Sequence, residues 1–196
     1  MTLRPSKWGY DTGSTGGIGV GALLASGGKF FLTDPADQDQ EFSYAGTGIG
    51  SGRSVGFLKI FDIGLPKFLH LPREIAGTGS TLDYTSSGSV YMTSAFHGSE
   101  LKRSDFVGGT VYIDAGVGVI ADGYSATIML LGMNSALMMM GISMPQLPFF
   151  RLAINEAPAV LVMRGFSTGL QSGAMTQGKL QLGAGAGAGI LIGHVQ

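Results

Sequence analysis

Three histidines, His70, His97 and His194, are the side chains best suited to acid–base work near neutral pH, and the chain has no cysteine. The absence of cysteine excludes thiol nucleophiles, thiolate metal sites and disulfide scaffolds. No pair of histidines stands at a metal-ligand spacing such as His-x3-His. Folding could assemble His97 with Glu100 and Asp105, or His194 with Asp114. A paired-carboxylate hydrolase would need two of Asp62, Asp83, Asp114 and Asp122 on facing strands. Asp122, followed by Gly123, is better explained as a hairpin signal. Gly48-Ile49-Gly50-Ser51-Gly52 resembles a nucleophile elbow only superficially, because no helix follows it. No catalytic residue, metal ligand or cofactor is assigned from these patterns.

Two glycine-rich segments invite a phosphate-loop reading. In Gly46-Thr47-Gly48-Ile49-Gly50-Ser51-Gly52-Arg53-Ser54, arginine stands where a Walker loop needs lysine. A dinucleotide fingerprint also needs a helix after the loop, whereas Val55 to Ile63 reads as strand. The same objection meets Gly13 to Gly19. Nucleotide binding is therefore set aside. A nucleic-acid partner is set aside as well. Net charge is −1, charged residues are 13% of the chain, and the one dense basic pair, Lys102-Arg103, is flanked by Glu100 and Asp105.

What must position any site is a set of strands. Glycine supplies 34 of 196 residues. It alternates with small or apolar residues at 17–21, 46–52, 116–118 and 183–189. Side chains in a strand alternate between two faces, so several strands present one bare face. Each such glycine costs about 0.5–1 kcal/mol relative to alanine. Close approach of another backbone, or the bending that closes a barrel, would offset that cost.

Short strands are expected at Lys29 to Thr33, Val55 to Ile63, Thr110 to Ile120, Tyr124 to Leu131, Phe149 to Ile154, Ala159 to Arg164 and within Lys179 to Val195. Gly27-Gly28 reads as a turn. Thr81 to Thr85 and Ser89 to Phe96 read as a hairpin through Ser86-Ser87-Gly88. Leu65 to Arg73, with two prolines, reads as a loop or edge segment, and Glu100 to Phe106 as a short helical turn. The segment Ala136 to Met144 fits strand or helix. The fold class expected is all-β: a glycine-rich closed or partly open β-barrel, with a β-sandwich as the alternative. It would hold about eight to eleven short, mainly antiparallel strands and at most one or two short helices. Residues 1–196 are read as a single β domain, with 1–12 as an N-terminal arm pinned by Trp8 and Tyr10.

From Gly123 to Phe150 the chain carries no charge and is rich in methionine. This stretch is read as two buried strands with a turn near Asn134. Methionine fills irregular gaps and also serves promiscuous apolar surfaces. Met129, Leu131, Met138, Met140 and Phe149 are accordingly the candidates for an apolar ligand lining or partner surface. The functional expectation is a non-enzymatic barrel acting through an apolar cavity or surface on a lipid, a membrane or a protein partner. A leaderless exported effector fits that expectation, since no classical signal peptide is read at the start and the default compartment is cytoplasmic. The alternatives are an assembly subunit pairing through glycine-rich strands, and an enzyme whose site the sequence does not display.

Overall fold

A computed structural model describes residues 2–20, 23–51, 83–119, 122–168 and 185–196. Eight strands form a closed antiparallel barrel: β1 (Leu3–Val20), β2 (Leu23–Thr33), β3 (Asp39–Ser51), β4 (Asp83–Thr93), β5 (Gly108–Val119), β6 (Asp122–Met133), β7 (Ala159–Thr168) and β8 (Gly185–Val195). Around the barrel the order is β1-β2-β3-β8-β5-β6-β7-β4. Two helices, α1 (Ser135–Ser143) and α2 (Phe149–Asn155), lie between β6 and β7. The expected strands at Val55 to Ile63 and the loop at Leu65 to Arg73 lie outside the described residues.

Period-two alternation builds two cores on the two sides of the barrel wall. The inner row includes Trp8, Phe30, Leu32, Phe42, Tyr44, Tyr112, Met129, Leu131, Leu161 and Val195, and every strand contributes to it. An eight-stranded barrel has an interior just wide enough for side chains to fill, and here aromatic rings fill it. Trp8 meets Phe106 edge-on at 4.8 Å, Phe30 stacks on Phe42 at 5.2 Å, and Tyr44 stacks on Tyr112 at 5.8 Å. The second core lies outside the wall, where Val111, Ile113, Ile128, Leu130, Val160, Val162 and Ile190 are covered by Met138, Ala153 and Ile154 of the helices. β6 is thus apolar on both faces. The opposite side of the barrel is polar outside, with an exposed Lys29–Glu41 ion pair at 2.6 Å.

Several sequence expectations need correction. Phe149 to Ile154 is helical, not a strand. Seven residues are too few to reveal a 3.6 period, and the aromatic and β-branched content mimics strand composition. Asn134 is not the turn between two strands. Its side chain accepts from Ala136 N at 3.0 Å and Leu137 N at 3.1 Å, which caps α1. Gly27-Gly28 lies within β2, and Ser86 to Gly88 lies within β4, each in unbroken register with its neighbours. Residues 1–12 are read as an arm, and β1 begins within them at Leu3. Glu100 to Phe106 does contain a 3-10 turn, at Arg103–Asp105, with Lys102 preceding it as the cap.

One seam of the barrel is held by a side chain. β1 pairs with β4 at Leu3, Arg4 and Pro5 and resumes only at Gly9. In the gap Glu100 takes the place of the strand: Ser6 Oγ donates to Oε1 at 2.5 Å, Lys7 N donates to Oε2 at 2.9 Å, and Leu101 N donates to Oε1 at 3.0 Å. Trp8 Nε1 donates to Leu101 O at 2.8 Å and fixes the same loop. Burial pushes the Glu100 carboxyl up. The three hydrogen bonds and the charge of Lys7 outweigh that and hold it below its ordinary value of 4.5. A carboxylate depressed in the folded state contributes stability above its unfolded value and loses it as pH falls through the folded value. Glu100→Gln should therefore lower stability near pH 7 by about 1 kcal/mol, the discounted worth of a charged hydrogen bond at a part-exposed site. Denaturant titrations of both proteins from pH 7 down through 4.5 check this, with the gap closing below 4.5. An equal gap at all pH values would show that Glu100 acts only by packing.

Candidate functional site

The barrel has two unlike halves. All strands run antiparallel, so the ends of β1, β3, β5 and β7 lie at one end together with the starts of β2, β4, β6 and β8. At that distal end Val20 stands opposite Leu23 and Val119 opposite Asp122. The aromatic core occupies the proximal half.

Following the ladders past that core changes the residue types. On β3 and β8, Tyr44 opposite Val195 is followed at every second position by Gly46 opposite Gly193, Gly48 opposite Leu191 and Gly50 opposite Gly189. On β5 and β6, Tyr112 opposite Met129 is followed by Asp114 opposite Thr127, Gly116 opposite Ser125 and Gly118 opposite Gly123. On β1 and β2, beyond a bulge at Tyr10/Thr12, Gly13 stands opposite Phe30, Gly17 opposite Ser26 and Gly19 opposite Leu24. The register positions between them hold Ile18 opposite Ala25, Val20 opposite Leu23, Thr47 opposite Ile192, Ile49 opposite Ile190, and Val117 opposite Tyr124.

The helices continue the apolar character at the barrel's flank. Among the described residues, four of the five exposed large hydrophobic side chains are Met139, Ile142, Leu147 and Leu152, with Val107 the fifth. The helix pair is tightly closed: a Cβ on Gly141 would stand 2.5 Å from Phe150 N. At the base of α1, Gly132 has φ +69, the left-handed region, and a side chain there would overlap the Asp105 carbonyl oxygen.

The five candidate apolar residues fall on different sides of the wall. Met129 and Leu131 are wholly buried in the inner core. Met138 is buried between α1 and the outer wall. Met140 and Phe149 are half-buried on the helices. The wall keeps the first two apart from the other three. The exposed residues beside Met140 and Phe149 were missed, although the uncharged run from Gly123 to Phe150 pointed to the segment that carries them.

The acid–base candidates are dispersed. His97 is exposed, while the carboxylate of Glu100 is occupied by β1. His194 is exposed and its Nδ1 lies 3.5 Å from Ser135 Oγ. His70 lies outside the described residues. Among the described residues no group of three or more histidine, aspartate or glutamate side chains gathers where it could hold a metal. A shallow groove of about 560 Å³ at the proximal end is lined by Trp8, Asp34, Pro35, Ala36, Gln40, Lys102 and Arg103. Its polar groups are engaged locally. Asp34 accepts from Ala36 N, Gln38 N and Gln40 Nε2, and the Arg103 guanidinium lies 4.7 Å above Phe42 while donating to Glu41 O.

The fold and surface define a closed eight-stranded barrel with a plugged half, a glycine-rich half and an apolar helical flank. No family model matches the chain, and no solved structure matches it. A curated protein does: the chain is 30% identical over 186 residues to the toxin protein Tse4 of Pseudomonas aeruginosa (strain PAO1), covering 88% of this chain and 91% of that protein. The chain belongs to the Tse4 toxin family.

Proposed function

We propose that this protein is a toxin effector that acts on a lipid bilayer, without catalysing a reaction, by presenting the glycine-rich half of its barrel to the hydrocarbon. The observation that supports this reading is the alternation in the distal ladders, where small residues recur at every second register position and largely apolar ones stand between them along β1, β3, β8 and β5. A membrane barrel alternates apolar residues with small or polar ones along each strand. Closure matters equally, because hydrocarbon offers no partner to an unpaired strand edge. Among the described residues no helix is long and apolar enough to cross a membrane, a criterion that leaves strands untouched.

The test is flotation with vesicles of phosphatidylethanolamine and phosphatidylglycerol, read together with release of an entrapped dye. The protein is expected to float and to release dye. A protein that stays at the bottom of the gradient, and that also fails to bind a fluorescent fatty acid, removes the lipid reading and leaves a protein target.

A further inference from the structure

We infer that the outer face of the helix pair is itself a lipid-contacting surface, seated in the acyl chains beside the barrel. This rests on the bilayer reading above and extends it to a second element. Three observations carry it. The first is composition: α1 is apolar around its whole circumference and uncharged, burying Met138 against the barrel while exposing Met139 (58%) and Ile142 (47%). A helix apolar on all sides belongs in a nonpolar surrounding. The second is clustering: Leu147 in the connection and Leu152 on α2, exposed by 42% and 43%, join Met139 and Ile142 as four of the five exposed large hydrophobic side chains among the described residues. The third is position: the pair packs over Ile113, Ile128, Val162 and Ile190, the residues that border the glycine-rich half on β5, β6, β7 and β8. Immersing that half brings the outer face of the pair to the acyl chains.

A protein partner is the competing occupant, and the two separate cleanly. The chain has no native cysteine, so a single Met139→Cys variant takes one environment-sensitive fluorophore. The vesicles are phosphatidylethanolamine and phosphatidylglycerol with brominated acyl chains. The label at position 139 should be quenched on binding. A label at Gln38→Cys, in the exposed β2–β3 turn at the proximal end, should not. Ile142→Lys combined with Leu152→Lys, both at exposed positions, should leave the far-UV circular dichroism unchanged and weaken vesicle binding roughly tenfold or more. If the parent protein floats while position 139 stays unquenched and the lysine pair binds as well as the parent, the inference is wrong and the bilayer reading stands. If the parent does not float, both fall.

Discussion

Alanine at Gly48 should destabilise the barrel by about 3 kcal/mol or more, whereas alanine at Gly9 should change stability by less than about 0.5 kcal/mol. The two glycines have the same composition-level description and different surroundings. A Cβ on Gly48 would overlap the Ile190 carbonyl oxygen and come within 2.6 Å of Leu191 Cα, both backbone atoms of the neighbouring strand. Neither can move without opening the β3–β8 ladder, in which Gly48 is paired with Leu191. At Gly9 the nearest atom is Thr33 Cβ at 3.5 Å, an ordinary van der Waals contact. There the smaller entropy of an unfolded alanine chain offsets what little is lost. Gly193→Ala, which would overlap the Ala45 carbonyl oxygen, should behave like Gly48→Ala. Urea denaturation of the three variants decides the matter. If all three cost alike, position is not what matters about these glycines, and the barrel's closeness of approach at β3–β8 is misjudged.

That contrast also marks how far the fold was legible. Alternating glycine implied bare strand faces and strand closure, and the closed barrel of eight strands bears out the all-β expectation. What the bare face meets could not be read, because it depends on register across the chain. Gly48 faces a strand from the far end of the sequence, and Gly88 is filled by the Tyr10 ring, 2.6 Å from where a Cβ would stand. The helices were hidden for a different reason. β6 is apolar on both faces because α1 and α2 cover its outer side, so Tyr124 to Met144 has no period that separates strand from helix. Asn134 was visible as a breaker, and only the capping hydrogen bonds distinguish a helix start from a turn. The role of Glu100 was also invisible. Its value to the fold comes from a gap in pairing between β1 and β4, more than 80 residues apart in sequence at Pro5 and Tyr91. The candidate apolar residues were legible as a segment and not as a surface: the uncharged run is continuous in sequence, and the wall of the barrel sorts its residues to different sides.

Thr47→Lys should remove most of the membrane activity while leaving the folded barrel in water almost unchanged. Thr47 is exposed on β3, opposite Ile192 of β8 and four residues from the strand's end. In water a lysine there exchanges one exposed residue for another that hydration accommodates. In hydrocarbon the same ammonium must be desolvated, at a cost of about 2–4 kcal/mol near the midplane of a barrel's lipid face and less near the interface. That corresponds to roughly thirtyfold or more in vesicle partitioning for the deeper position. The companion substitution is Met163→Leu on β7, which packs against the inner core and keeps an apolar side chain of similar size. It should leave flotation and dye release within about twofold of the parent, since the inner side of the wall meets no lipid in this arrangement. Flotation and dye release measured on both variants, alongside denaturation midpoints in the absence of lipid, separate an effect on insertion from an effect on folding. Equal loss in the two variants, or none in Thr47→Lys, would mean that the outer side of the barrel is not what the bilayer touches.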